Sequence, residues 1–387
     1  MMNREVYVLG VGQTRFTKQP DIPPSRLGET AVKAAFADIG PEFDPREIQI
    51  AYAAHCEGSS QQCQDILKYV GVAGIEMHNM ENACASGGAA VHALYKDISL
   101  GYKDIGIAIG VDSLTRSKLN GGLIPTAEGD INGIMGITMP GQAALNARRL
   151  MDSRDMTLED LAYASIKNHK NAVMNPYAHF RKAITFEDVM NARKISDPIT
   201  TLHCCPQSDG AAAVILCTKE VAQKYTTKLI KLASSACLSA DYTAWDEDVL
   251  ATPLISGLMK TVCDAAGVDP LKDIDLVELH DAFSPEELYM YEVMGLCGPG
   301  ETKKFIHDGC AEIGGRCAVN PSGGLQSLGH PLGASGVRVV CEITWHLRGE
   351  AGERQQPGAK VGLAQMVGGG LVTLSSPAVG FMGVLTA

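Results

Sequence analysis

One tripeptide occurs twice in this chain and sets the terms for its fold. Ala85-Ser86-Gly87 returns as Ala334-Ser335-Gly336. Each copy opens a stretch of small and β-branched residues, with Val91, Leu94 and Ile98 at helical spacing in the first. An apolar run with strand character follows each, Ile105 to Val111 after the first and Val361 to Gln365 after the second. Another echo precedes them in the same order: the strand-like segments Glu47 to His55 and Asp273 to His280 both end in a histidine. Two echoes in one order predict two copies of a single α/β unit, a duplicated fold.

Composition agrees with that class. The 387 residues are 45% hydrophobic but only 5% aromatic, and 41 are glycine. A core of Ala, Val, Ile and Leu with Gly-rich helices suits close helix packing on a sheet rather than a β-sandwich. A formal net charge of −11 argues against non-specific nucleic-acid binding, so an anionic substrate needs a local basic patch. Twelve cysteines, two of them adjacent at Cys204-Cys205, with no leader segment read at the start, predict a reducing cytoplasm rather than a disulfide framework. No apolar run approaches the ~18 residues of a membrane span, which predicts a soluble protein.

Along the chain, Val6 to Gly12 reads as a buried strand running into a glycine turn. Arg15 stands where a dinucleotide loop needs its third glycine, so no nucleotide site is assigned there. Residues 27–39 predict an amphipathic helix and Ile48 to Ala54 a strand. Cys56 and Cys63 have a poor metal-ligand spacing and read as core or loop thiols, and His78 and His92 as structural histidines. Residues 115–140, with Gly121-Gly122, Pro125, Gly129, Gly133 and Pro140, form a loop-rich excursion, and residues 141–170 one helix. Between Lys167 and Lys194 lie His169, Lys170, His179, Arg181, Lys182 and Arg193, a cationic strip in an acidic protein. It is either a receiver for the phosphates of a CoA-like substrate, with Arg181 and Lys182 as the candidates, or a solvated helix face. Lys228 to Ser235 starts a new strand, and Met259 to Ala266 a helix capped by Gly267.

Chemistry concentrates at three points. Cys84, in Asn82-Ala83-Cys84-Ala85-Ser86-Gly87-Gly88, sits where a tightly packed helix begins, and the unpaired N–H groups and helix dipole there favour a thiolate. The bland alternative is a small buried cysteine packing like alanine. His330 lies in Gly329-His330-Pro331-Leu332-Gly333, a rigid glycine-bracketed turn, from which it could take the Cys84 proton and return it to an enolate oxygen. His280 ends the second-copy strand.

With these motifs assembled, the sequence resembles the thiolase superfamily over essentially its whole length. The archaeal and sterol-carrier-protein-type branch is the nearest, judged by Asn82-Ala83-Cys84-Ala85-Ser86-Gly87, Cys204-Cys205-Pro206-Gln207-Ser208-Asp209-Gly210, His280-Asp281-Ala282-Phe283 and Gly329-His330-Pro331. The resemblance implies a duplicated βαβαβαββ fold in five αβαβα layers. An inserted loop domain at 120–205 would divide the first half into 1–119 and 206–226, and the second half would span 227–387. It implies Cys84 as the nucleophile that carries the acyl group, His330 as its activator, and His280 completing an oxyanion hole. A second hole would come from the backbone N–H groups of Cys84 and Gly368, each donor worth ~3–4 kcal/mol of barrier. Coenzyme A is implied as substrate, with no resident cofactor and no metal in this chain. The implied assembly is a homodimer or dimer of dimers, and members of this branch often work with a small zinc-binding OB-fold partner.

The chain departs from the family at the second catalytic cysteine. Met366 stands in the usual Cys-x-Gly seat, and Ala282 in the alternative His-Asp-Cys-Phe seat. His280 itself, a loop cysteine among Cys297, Cys310 and Cys317, or a weakly active subunit are the three readings this leaves. The expected reaction is cleavage of a 3-oxoacyl-CoA by CoA, or the reverse Claisen condensation. An aromatic substrate such as 2-benzoylsuccinyl-CoA is within that expectation. The alternatives are a condensing acyltransferase on a CoA-free acceptor and a non-catalytic scaffold subunit.

Overall fold

The computed structural model describes residues 4–116, 131–241, 252–370 and 377–387. The described residues form the strands β1 (Val6–Gln13), β2 (Ile50–Ala54), β3 (Glu76–Met80), β4 (Ile105–Ser113), β5 (Lys194–Ser196), β6 (Ile199–Thr200), β7 (Asp209–Thr218), β8 (Ile230–Ser239), β9 (Leu276–Glu278), β10 (Ala318–Val319), β11 (Val361–Gly368) and β12 (Val379–Thr386). Helices α1 (Pro24–Ile39), α2 (Gln62–Leu67) and α3 (Ser86–Ser99) belong to the first half. Helices α4 (Ile131–Ile134), α5 (Met139–Arg154), α6 (Leu158–Val173) and α7 (Phe186–Asn191) lie between β4 and β7, and α8 (Lys219–Tyr225) follows β7. The second half adds α9 (Pro253–Ala266), α10 (Ser284–Val293), α11 (Thr302–His307) and α12 (Leu332–Arg348).

Strand order states the duplication more firmly than the tripeptide does. The main sheet runs β10-β9-β11-β12-β8-β1-β7-β4-β2-β3. Numbered within its own half, each set of five strands reads third-second-fourth-fifth-first. In both halves the third, second and fourth strands are parallel, and the fourth, fifth and first antiparallel. The halves meet where β1 pairs antiparallel with β8, Val6 opposite Leu232 and Val8 opposite Ile230. The two expected sheets are therefore joined in one ten-stranded ladder. Helix α1 packs on β1, β7 and β4, and α9 on β8 and β12. Helices α3 and α12 touch strands of both halves and form the middle layer.

The middle helices are able to sit there because they are nearly smooth at one end. A Cβ on Gly336 would fall 2.2 Å from the backbone nitrogen of Gly88. Both serines of the repeated tripeptide bond back to backbone: Ser86 Oγ donates to the Ala83 carbonyl in the turn ahead of α3, and Ser335 Oγ to the Pro331 carbonyl across the first turn of α12. The result is that the N-termini of α3 and α12, with the turns that carry Cys84 and His330, face one another.

Several local expectations are corrected. The single helix expected at 141–170 is two, since Asp155 adopts a left-handed conformation at φ 50° and Thr157 starts α6 with a capping box. The cationic strip is not continuous either. Lys167 is fully buried in an ion pair with Glu287 at 2.9 Å, His169 is buried, and Lys170 pairs with Glu312 at 3.0 Å. Gly121, Gly122, Pro125 and Gly129, read as part of the loop excursion, lie outside the described residues. Among the described residues no helix is long and apolar enough to cross a membrane.

Candidate active site

Cys84 is presented by a strained turn. Ala83 has φ 48°, a left-handed conformation that costs a β-carbon-bearing residue energy and recurs where a side chain must be aimed. Successive bonds from Ala85 N–H to the Asn82 carbonyl (3.1 Å) and from Ser86 N–H to the Ala83 carbonyl (3.0 Å) hold it. On the other side stands β11. A Cβ on Gly368 would lie 2.3 Å from the Asn82 oxygen and 3.0 Å from the Cys84 nitrogen, so only glycine permits that strand to approach.

His280 follows the end of β9. Its backbone N–H donates to Gln365 Oε1 at 2.8 Å, and its Nδ1–H donates to Glu286 Oε1 at 2.7 Å from the first turn of α10. Burial opposes charge on this ring, but the Glu286 carboxylate and the Cys84 sulfur outweigh it, and its pKa rises to about 10. His330 is the opposite case. Burial, with the charges of His280 and Arg338, holds it well below the usual histidine value, so it is neutral near pH 7. Its Nδ1 is 2.8 Å from Ser335 Oγ. That hydroxyl spends its only proton on the Pro331 carbonyl, so Nδ1 of His330 must be the donor and Nε2 the bare acceptor.

The three side chains converge. The Cys84 sulfur and one nitrogen from each ring lie within 4.8 Å of one another. The two rings meet edge to face, with centroids 5.1 Å apart. Nε2 of each is buried with no oxygen or nitrogen partner among the described residues, and the His280 ring interacts with the Cys84 sulfur. A thiol, a neutral imidazole and a protonated one at a single point can run nucleophilic acyl transfer with separate proton donor and acceptor. A thiophilic cation could be held by the same three groups, but one neutral and one protonated ring suit proton transfer.

A cleft of about 680 Å³, counting its open mouth, leads to Cys84, His280, Glu286 and Gly368. Its walls are Met139, Gln142, Ala143 and Asn146 of α5, Phe283, Tyr289 and Met290 around α10, and Val367, Gly369, Gly370 and Pro377. His330 does not line it but meets the ring of His280, which does. Arg181 and Lys182 do not line it either: Arg181 donates to the Val173 carbonyl, and Lys182 borders a separate groove with His169 and Phe180.

Met366 and Ala282, in the two seats considered for a second cysteine, are buried in one apolar cluster. Cys297 and Cys317 belong to a different cluster against which Cys310 packs, and none of the three lines the cleft. Two cysteines given no role at the sequence level do come close. Cys56 Sγ is 3.2 Å from the Ala83 carbonyl, and the Cys205 N–H donates to the Ala282 carbonyl at 2.9 Å. Burial pushes both thiols up, which makes them poor proton carriers. Glu286 and Ser335 were missed as well, although an acidic residue in a first helical turn close behind His280 was a usable signal.

Comparison with known proteins places the chain in a family. The description "Thiolase, N-terminal domain" matches residues 6–220, and "Thiolase C-terminal domain-like" matches 244–379. The chain is 36% identical over 375 residues to the benzoylsuccinyl-CoA thiolase subunit BbsB of Thauera aromatica, covering 95% of this chain and 96% of that one. It is 37% identical over 373 residues to an acetyl-CoA acetyltransferase of Methanothermobacter thermautotrophicus, covering 95% and 97%. Against sterol carrier protein 2 of Bos taurus the identity is 34%, over 98% of this chain and 73% of that protein. Among solved structures, an Ltp2-ChsH2(DUF35) aldolase superposes with a TM-score of 0.84 at 24% identity, covering 100% of this chain and 98% of that one. Human mitochondrial 3-ketoacyl-CoA thiolase superposes at 0.76 and 18% identity, with full coverage of both. At those identities the superpositions speak for the fold.

Proposed function

The chain belongs to the thiolase family, and from that premise we propose that it cleaves a 3-oxoacyl-CoA with CoA, or runs the reverse condensation, through a thioester on Cys84. It is an acyltransferase of CoA thioesters. One observation carries the assignment of roles: a sulfur and two ring nitrogens within 4.8 Å of one another at the end of an open cleft.

In cleavage, bare Nε2 of His330 takes the Cys84 proton, and the sulfur attacks the 3-oxo carbonyl carbon. The tetrahedral intermediate collapses with rupture of the carbon–carbon bond, leaving an acyl thioester on Cys84 and an enolate on the departing acyl-CoA. Protonated His330 then offers Nε2–H to the enolate oxygen. His280 supplies a second hydrogen bond, and the backbone N–H groups of Cys84 and Gly368 serve the thioester carbonyl. The enolate carbon takes up a proton, an incoming CoA thiol gives one up in exchange, its thiolate takes the acyl group from Cys84, and His330 returns its proton to the freed cysteine sulfur. A weakened base suits this part, since it gives the proton back readily.

The substrate proposed is a 3-oxoacyl-CoA whose group passed to Cys84 is bulky and apolar, such as the benzoyl group of 2-benzoylsuccinyl-CoA. Met139, Phe283, Tyr289, Met290, Val367 and Pro377 give the cleft most of its apolar lining, and the amides of Gln142 and Asn146 are polar without charge. The relative from Thauera aromatica, a benzoylsuccinyl-CoA thiolase subunit, supports the same choice. That relative is a subunit by name, so a partner chain is proposed here too. CoA-dependent cleavage of benzoylacetyl-CoA, compared with acetoacetyl-CoA, tests the reading. Activity on the aryl substrate that vanishes in Cys84→Ala supports it, and activity that survives Cys84→Ala overturns it.

A further inference from the structure

We propose that Glu286 is a positioning residue for proton transfer: through its bond to His280 it keeps that imidazole able to protonate the α-carbon of the departing acyl-CoA and to deprotonate the incoming CoA thiol. The assignment rests on the thiolase reading above and deepens it. Among the described residues, the positions considered for that task leave it unfilled: Ala282 and Met366 carry no proton, and Cys297, Cys310 and Cys317 do not line the cleft.

The placement is specific. Glu286 lines the cleft beside Cys84, and its side chain is only 14% exposed, so its bond to Nδ1 of His280 is shielded from water. Gln365 fixes the backbone of His280, which leaves the ring one outward nitrogen, Nε2, at the meeting point with Cys84 and His330. The groups facing His280 are Glu286 on α10, Cys84 ahead of α3 and His330 ahead of α12. Cys205 stands behind Ala282, and Tyr289, one turn beyond Glu286, lines the same cleft. Of these, Glu286 is the carboxylate in contact with the ring.

The proton count closes. At the start Cys84 is a thiol, His330 neutral and His280 an imidazolium against the Glu286 carboxylate. Cys84 passes its proton to His330 and adds to the 3-oxo carbon. When the carbon–carbon bond breaks, its electron pair stays with the acyl-CoA as the enolate, and Nε2–H of His280 is delivered to the α-carbon. Neutral His280 next takes the thiol proton of CoA. The CoA thiolate attacks the Cys84 thioester, and the leaving cysteine sulfur recovers its proton from His330. Both histidines end as they began.

The test uses the full-length protein, benzoylacetyl-CoA with CoA as the assay, and iodoacetamide as the probe of Cys84. Glu286→Gln keeps the shape and removes the charge. It should lower kcat ~100-fold with KM nearly unchanged, and move the alkaline limb of the kcat–pH profile down by at least about one unit towards the ordinary histidine value. Glu286→Asp should recover kcat to within about tenfold, and Cys84 should be alkylated at a similar rate in all three proteins. An unchanged kcat and an unmoved limb in Glu286→Gln would overturn the assignment alone. So would equal losses in both variants accompanied by loss of Cys84 alkylation, which marks a merely structural role. Wild-type turnover that survives Cys84→Ala overturns the thiolase reading and takes this assignment with it.

Discussion

Gly87 on α3 presses against Gly333 on α12 so closely that a Cβ at 87 would lie 2.4 Å from the Gly333 carbonyl oxygen. The obstacle is backbone on both sides, so no side-chain rotation relieves it. Gly87→Ala should therefore push the two N-termini apart, at a cost of about 1–3 kcal/mol in stability. It should also cut turnover far more than that loss explains, because it separates Cys84 from His330. Denaturant unfolding and kcat measured on one preparation read both effects. Gly257, on the exposed side of α9 with nothing within 4 Å of an added Cβ, is the control. Gly257→Ala should raise stability by about 0.5–1 kcal/mol and leave turnover alone.

That contact explains what was legible in the sequence. Small residues announce themselves as letters, so Ala85-Ser86-Gly87 and Ala334-Ser335-Gly336 could be matched and the duplication read. The nucleophile turn was legible for the same reason, as was the glycine bracket around His330. What escaped depended on distances between elements. Lys167 looked like one cation in a solvated strip, but its partner Glu287 is 120 positions away on α10 and both are fully buried. The break between α5 and α6 hides in Asp155, which no apolar period marks. Glu286 looked like ordinary acidic decoration of a helix N-terminus, a role its type would fill anyway. Only the direction of the His280 ring separates the two readings.

Ser335 decides which nitrogen of His330 is free. With its hydroxyl committed to Pro331, it can only accept from Nδ1. Ser335→Ala removes the partner and lets the ring sample the tautomer with its proton on Nε2, which cannot act as base toward Cys84. Expected is a drop of about tenfold or more in kcat with little change in KM, and slower alkylation of Cys84. Normal alkylation in Ser335→Ala would show that the serine does not set the tautomer.

Arg338 and Glu278 form a fully buried ion pair, and Glu278 also accepts from the Ser322 N–H at 3.0 Å and its hydroxyl at 2.8 Å. The pair ties α12 to β9 and to the loop leading towards His330. Arg338→Met leaves the Glu278 carboxylate buried without its counter-charge, which should cost about 3–5 kcal/mol. The double variant Arg338→Met, Glu278→Gln should recover a good part of that loss. A double variant no more stable than the single one would mean that packing by the arginine stem, not charge, is what matters there.

The pair of His280 and Glu286 also leaves a mark on stability at high pH. The folded-state pKa of His280, about 10, lies above the ordinary value, because Glu286 and Cys84 outweigh burial. The folded protein thus binds this proton more tightly than the unfolded chain does. Its contribution is complete below about pH 6.5 and is lost as pH rises through about 10. Urea midpoints should accordingly fall between about pH 7 and about pH 10, beyond any general alkaline loss. Glu286→Gln should be less stable than the wild type at neutral pH and show a flatter decline, so that the two curves approach one another on the alkaline side. Parallel curves would mean that the proton on His280 is not held by Glu286.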